Sequence, residues 1–102
     1  MAAYHLVWHF ETDSARQADF EAAYGPEGLW VQLFRQGDGY LGSELLRDAA
    51  GGPHYVTIDR WVSRGSYDAF RLRHAAEYAS LDERCGLLTV REAFLGDGGS
   101  PE

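Results

Sequence analysis

The chain has 102 residues and a formal net charge of −7, with 16 acidic and nine basic residues. This length is typical of one domain. The acidic balance argues against nucleic acid or an anionic membrane as a partner, because phosphate surfaces are bound by clustered Lys and Arg. Aromatic residues make up 14 % of the sequence, an excess that favours an aromatic ligand or a dimer interface.

Nothing in the sequence points to secretion or to a membrane. The single cysteine, Cys85, excludes an intramolecular disulfide. The first residues lack the charged segment that precedes the apolar run of a signal peptide. No apolar run approaches the ~20 residues that a membrane-spanning helix needs. We therefore expect a cytoplasmic protein.

Periodicity divides the chain into strands and helices. Alternating apolar residues predict strands at residues 4–11, 40–48, 55–62 and 87–95. Apolar spacings of three and four predict helices at 15–24, at 27–35 and after Ser63, with 75–84 continuing that last helix or restarting after a bend. The Ser63 hydroxyl stands where it would cap the helix. The turn at 49–53 predicts an antiparallel hairpin between the second and third strands.

This element order, β-α-(α)-β-β-α-β, predicts an α+β fold of the ferredoxin-like, split βαβ type, with a four-stranded antiparallel sheet. The domain is expected to span residues 1–96, and the Gly-rich segment 97–102 is expected to be a disordered tail. Helices cover only one face of such a sheet. Since the other face is too apolar to remain in water, we expect a homodimer.

The third strand presents two different faces. Val56 and Ile58 form an apolar face, whereas Tyr55, Asp59 and Trp61 form an aromatic face with one carboxylate. If the helices pack on Val56 and Ile58, the aromatic face points into the dimer interface. If they pack on the aromatic face, Asp59 lies beneath the helices. We expect the first arrangement, because the apolar side chains suit packing under helices.

Three ionisable residues are candidates for catalysis. His9 and Asp59 lie on the less apolar faces of adjacent strands, where a carboxylate beside an imidazole raises its basicity for general-base chemistry. His74, on the apolar stripe of the helix after Ser63, is the third candidate. Each residue also has a purely structural interpretation, as a hydrogen-bonded or packed side chain.

An aromatic pocket for a flat small molecule is predicted where the third strand faces the following helix. Core packing of the same side chains is the alternative. The candidates for substrate binding are His5, Tyr55, Trp61, Tyr67 and Phe70. The sequence contains no CxxC or carboxylate triad, so we expect no bound metal.

Four segments together carry a family resemblance. They are residues 6–11, YGPEGLW at 24–30, GYLGSELLRD at 39–48 and YVTIDRWVS at 55–63. On these segments the chain resembles the antibiotic biosynthesis monooxygenase (ABM) domain family of the dimeric α+β barrel superfamily. The resemblance implies a homodimer whose two sheets form a barrel, with a pocket between sheet and helices in each subunit. Some members of this family oxidise polycyclic aromatic compounds with O₂ and no cofactor, and others degrade haem.

The chain departs from both patterns of family residues. The haem-degrading members use an Asn on the first strand, and a Trp and a His on the helix after the third. Here Phe70 stands at the Trp position, and Ala79 and Ser80 stand where the His would fall. Haem degradation is therefore disfavoured, and no cofactor is expected. The cofactor-free oxygenases use an Asn and a Trp on or near the third strand, where Trp61 matches but the whole sequence contains no Asn.

Two functions remain open. The first is a cofactor-independent monooxygenase that acts on an aromatic or polyketide-like small molecule, which requires a base within reach of the pocket. The second is a non-catalytic small-molecule-binding or dimeric interaction module, whose polar pocket groups would satisfy one another.

Overall fold

A computed structural model describes residues 3–99 as one antiparallel sheet with helices on one side. The strands, in the spatial order β2-β3-β1-β4, are β1 (Tyr4–Thr12), β2 (Tyr40–Arg47), β3 (His54–Trp61) and β4 (Thr89–Gly98). The two strands of the predicted hairpin, β2 and β3, pair along their length. The predicted ferredoxin-like α+β fold is therefore confirmed.

Four α-helices connect the strands. They are α1 (Gln17–Tyr24), α2 (Leu29–Phe34), α3 (Arg64–Arg73) and α4 (Ala75–Cys85). As predicted, the Ser63 hydroxyl caps α3, accepting a hydrogen bond from the backbone N–H of Ser66 at 3.0 Å. A bend at His74 separates α3 from α4. Within residues 3–99, each helix falls short of the length and apolar character that crossing a membrane requires.

The last strand is longer than the sequence predicts. β4 continues past residue 95 because the backbone of Asp97 pairs with Leu6 and that of Gly98 with His5. The Tyr4 hydroxyl also donates a hydrogen bond to the Asp97 carboxylate. The predicted tail, 97–102, therefore includes residues that belong to β4. Its residues 100–102 lie outside the described part of the chain.

The helices pack on the aromatic face of β3, which corrects the arrangement expected from the sequence. Tyr55 and Trp61 are fully buried in the core beneath the helices. Val56 and Ile58 lie on the opposite face of the sheet, since successive side chains alternate. The physical reason is volume, because two large aromatic rings remove more apolar surface from water than two aliphatic side chains do.

Trp61 is the centre of the larger core cluster. Its ring packs against Tyr40, Tyr67 and Phe70 at centroid distances of 5.0–5.6 Å. The loop after α2 approaches so closely that a Cβ added at Gly37 would lie 2.9 Å from the indole ring. Position 37 therefore has to be glycine for the indole to be covered.

We predict that Trp61→Ala lowers the free energy of unfolding by about 3–5 kcal/mol, because it leaves a large cavity at a position that is 0 % exposed. Urea denaturation measures this loss. Leu72→Ala is the control, since Leu72 is 83 % exposed and its loss is expected to cost less than about 0.5 kcal/mol. Equal effects of the two substitutions would contradict the described packing.

Candidate functional site

A cavity of about 220 Å³ lies between the helix-covered face of the sheet and the helices. Strand β1 contributes Trp8 and Phe10, and β3 contributes Thr57 and Asp59. The helices contribute four further aromatic residues, Tyr24, Trp30, Phe34 and Tyr78. An apolar cavity with a few polar groups at one place is the usual form of a small-molecule site.

The aromatic wall follows from the alternation of β1 and the short helix α2. Trp8 and Phe10 are two residues apart and therefore point to the same face. Trp30 and Phe34 are one helical turn apart and lie on the inner side of α2. Trp30 also meets Tyr78 of α4 edge-on, with centroids 5.0 Å apart. The result is a set of ring faces and edges suited to a planar aromatic ligand.

Asp59 is the acidic group of the cavity wall. It lies opposite Leu6 on β1 and Ser43 on β2, so its side chain shares their face beneath the helices. The Ser43 hydroxyl donates a hydrogen bond of 2.6 Å to Asp59 Oδ1, and the Tyr40 hydroxyl lies 2.6 Å from Ser43 Oγ. These three residues form a hydrogen-bonded chain that leads from the cavity towards the sheet edge.

Burial changes the acidity of Asp59. The loss of hydration raises the pKa of this carboxyl from 3.8 to about 6, although the Ser43 hydrogen bond acts in the opposite direction. Within residues 3–99, no salt bridge joins Asp59 to a cation. The Asp59 carboxylate is therefore not neutralised by a structural ion pair. Above pH 6 the cavity therefore contains a carboxylate that can accept a proton from a ligand.

The exposed residues at the opening of the cavity are mostly acidic. Asp82 and Glu92 are both exposed there. Partial loss of hydration, together with the negative charge of Asp82, raises the pKa of Glu92. Arg71 is the one basic side chain among the described lining residues. Its guanidinium lies 3.8 Å from the Tyr78 ring centroid and donates a hydrogen bond to the Tyr67 hydroxyl at 3.0 Å.

The predicted pairing of His9 with Asp59 is wrong. In the register of β1 and β3, Asp59 lies opposite Leu6, whereas His9 lies opposite Val56. Their side chains are therefore on opposite faces of the sheet. His9 instead approaches His54, with Nε2 and Nδ1 separated by 3.3 Å.

The other two predicted histidines also lie away from the cavity. His74 packs on Phe70 with centroids 5.2 Å apart, and its Nδ1 lies 2.9 Å from a carboxylate oxygen of Glu77. His5 lies on the open face of the sheet, beside Val7 and the glycine-rich end of β4. Neither histidine lines the aromatic cavity.

Most of the predicted binding residues belong to the core. Tyr55, Trp61 and Phe70 are buried and do not line the cavity, and Tyr67 contacts it through Arg71. The lining residues of α2 and Ser43 were not predicted from the sequence. The hairpin gave a signal for Ser43, because the correct strand pairing places it directly opposite Asp59.

Metal ligands are not clustered around this cavity. Between residues 3 and 99, the structure brings together no group of three or more His, Cys, Asp and Glu side chains that could hold a metal ion.

We predict that Asp59→Asn makes the protein more stable above pH 6. The folded pKa of about 6 exceeds the ordinary 3.8, so ionisation of Asp59 costs stability as pH rises from 4 to 6, and the full cost persists above pH 6. The gain of the variant should therefore grow to roughly 2–3 kcal/mol over that window. Chemical denaturation between pH 4 and 8 measures it. Asp38→Asn, at an exposed position, is the control, and a constant difference for Asp59→Asn would contradict the prediction.

Comparison with known proteins shows similarity in structure. No protein-family model and no curated protein sequence matches the chain. SnoaB, a cofactor-independent oxygenase from Streptomyces nogalater, superposes with a TM-score of 0.81 at 17 % identity, covering 100 % of this chain and 96 % of that one. Rv0793 from Mycobacterium tuberculosis has a TM-score of 0.75 at 19 % identity, with 99 % and 97 % coverage.

A third structure is a candidate antibiotic biosynthesis monooxygenase from Bordetella bronchiseptica. It has a TM-score of 0.74 at 17 % identity and full coverage of both chains. At identities this low, the structural similarity shows a shared fold and no more. The chain thus has the ferredoxin-like α+β fold of these proteins, and its resemblance to the ABM family is confirmed at the level of the fold.

Proposed function

We propose that the chain is a cofactor-independent monooxygenase that acts on a hydroxylated aromatic or polyketide-like compound, with Asp59 as the general base. The observation that carries this proposal is the Asp59 carboxyl, which lines an aromatic cavity with its pKa raised to about 6. A general base is most effective when its pKa is near the working pH. The fold shared with a cofactor-independent oxygenase supports the same reading.

In the proposed reaction, Asp59 removes a proton from an acidic O–H or C–H group of the bound aromatic. The resulting anion transfers one electron to O₂, and the radical pair combines to a peroxide anion at a ring carbon. This anion takes up one proton from solvent, which gives the hydroperoxide. Loss of water then converts a CH₂ group to a carbonyl. The balance is one CH₂ and one O₂ consumed for one C=O and one H₂O formed. The aromatic wall excludes water from the anion and so limits side reactions.

Ser43 and Tyr40 have supporting roles in this proposal. Ser43 holds Asp59 Oδ1, so that Oδ2 remains for the substrate. After proton transfer, the hydroxyls of Ser43 and Tyr40 offer a route by which Asp59 returns its proton to solvent. Ser43 therefore positions the base, and Ser43 and Tyr40 together return Asp59 to its carboxylate form. Neither residue touches the reacting carbon.

The cavity also limits the substrate. A volume of about 220 Å³ is below the usual 300–1,000 Å³ of sites for drug-sized ligands, so part of a polycyclic molecule would protrude from the opening. Asp82 and Glu92 at that opening repel carboxylates. We therefore expect substrates that are neutral when free.

The test is O₂ uptake with neutral hydroxyarenes that carry an acidic C–H group. In the wild type, kcat/KM should rise with pH through a midpoint near 6 and then level off, following ionisation of Asp59. Asp59→Asn removes the base and should lower kcat/KM by about 10²–10⁴-fold. Ser43→Ala removes the hydrogen bond that stabilises the carboxylate, so the midpoint of the pH profile should move upward.

His74→Ala is the matched control, since His74 lies outside the cavity and should leave kcat/KM unchanged. If Asp59→Asn turned over substrate as fast as the wild type, the role of Asp59 would be contradicted. If the wild type turned over none of these hydroxyarenes, the oxygenase proposal would be contradicted.

A non-catalytic binding module is the second candidate. It is favoured by Arg71, a polar group at the opening whose hydrogen-bonding capacity is partly satisfied by the Tyr67 hydroxyl. In that case hydroxyarenes would quench tryptophan fluorescence without O₂ uptake. Asp59→Asn would then change affinity only.

We further propose that a second copy of the chain covers the open face of the sheet. Val7, Val56 and Ile58 lie there in adjacent positions of the two central strands, and Leu46 of β2, opposite Val56, adds a large exposed side chain. Adjacent apolar side chains on a sheet face are typical of an interface. The cytoplasmic location stays a prediction from the sequence.

Ile58→Arg is predicted to convert the dimer to a monomer, because it places a charge in the middle of this apolar face. Sedimentation at micromolar concentration measures the change. Leu72→Arg is the control, since Leu72 is exposed on α3. A monomeric wild type, or a dimer that tolerates Ile58→Arg, would contradict the proposed interface.

A further inference from the structure

Two histidines face each other on the open side of the sheet, opposite to the aromatic cavity. His9 belongs to β1 and His54 to β3, the two central strands. His9 Nε2 and His54 Nδ1 are 3.3 Å apart, and the ring centroids are 5.3 Å apart with planes inclined by 25°. Nitrogen atoms of both rings are thus directed into one small volume.

The distance between these nitrogens matches that of two ligands on one metal ion. Zinc binds imidazole nitrogen at 2.0–2.1 Å in tetrahedral geometry, which places two ligand nitrogens about 3.3 Å apart. A neutral pair can also share one N–H···N hydrogen bond at this distance, which leaves the pair assembled before a metal arrives. Binding then requires a change of tautomer in one ring and little movement of the chain.

We propose that His9 and His54 form a binding site for a divalent ion that prefers imidazole, with Zn²⁺ as the expected ligand and Cu²⁺ and Ni²⁺ as substitutes. The site rests on strands, and the backbone carbonyl of His54 accepts a hydrogen bond from Asp48 N–H at 3.1 Å, so its ligands are held in place. Two protein ligands leave the other coordination positions to water or to groups of the second copy that we propose to cover this face.

Charged neighbours on the same face balance each other. Glu11 lies directly opposite His54 in β3 and opposite Arg91 in β4. Its carboxylate offsets the charge of Arg91 and adds no third ligand within the described residues. The site is separate from Asp59 and does not depend on the proposed oxygenase activity.

The test is calorimetric titration of tag-free protein with ZnCl₂, together with the electron paramagnetic resonance spectrum of the Cu²⁺-loaded protein. We expect one site per chain and a copper spectrum that shows two imidazole nitrogens. His9→Ala and His54→Ala should each weaken Zn²⁺ binding at least about tenfold, equivalent to 1.4 kcal/mol.

His74→Ala is the matched control, because it removes a histidine on the helical side of the molecule and should leave the affinity unchanged. Thermal denaturation without metal checks that each variant is folded. If a variant does not fold, the copper spectrum of the wild type decides alone. Absence of Zn²⁺ binding, affinity that is equal in all variants, or a copper spectrum with fewer than two nitrogens would overturn the site.

Discussion

Burial of the Trp61 side chain fixes which side of the sheet becomes the inside of the molecule. Side chains alternate along a strand, so placing this one ring beneath the helices also places Thr57 and Asp59 there. The same constraint sends Val56 and Ile58 to the other face. One packing decision therefore creates both the aromatic cavity and the apolar surface outside it.

The position of Asp59 shows what this constraint costs. A carboxylate carried beneath the helices loses hydration and destabilises the fold at neutral pH. The Ser43 hydroxyl offsets part of that cost. A serine or asparagine at position 59 would avoid it, so stability alone does not account for a carboxylate at this position.

Strands, the hairpin and the Ser63 cap could be predicted because they depend on local patterns and turn chemistry. The face that the helices cover could not be predicted from hydrophobicity alone, because Val56 and Ile58 are more apolar whereas Tyr55 and Trp61 have the larger volume to bury. The predicted pairing of His9 with Asp59 was wrong because it depended on the register of the two strands.

Pairing predictions need the register to be correct to one residue, since a shift of one reverses the face of every side chain. The cavity residues on α2 and α4 depend on how the helices pack on the sheet. The spacing of residues within each helix does not indicate that Trp30 of α2 contacts Tyr78 of α4.

The three tryptophans report on different parts of the molecule through their intrinsic fluorescence. In the described part of the chain, the indole N–H groups of Trp30 and Trp61 are buried and lack a hydrogen-bond partner, so both rings emit from apolar surroundings. Trp8 and Trp30 line the cavity, and Trp61 does not. Quenching by an added compound would therefore report occupancy of the cavity, while the residual short-wavelength emission of Trp61 reports that the core is intact.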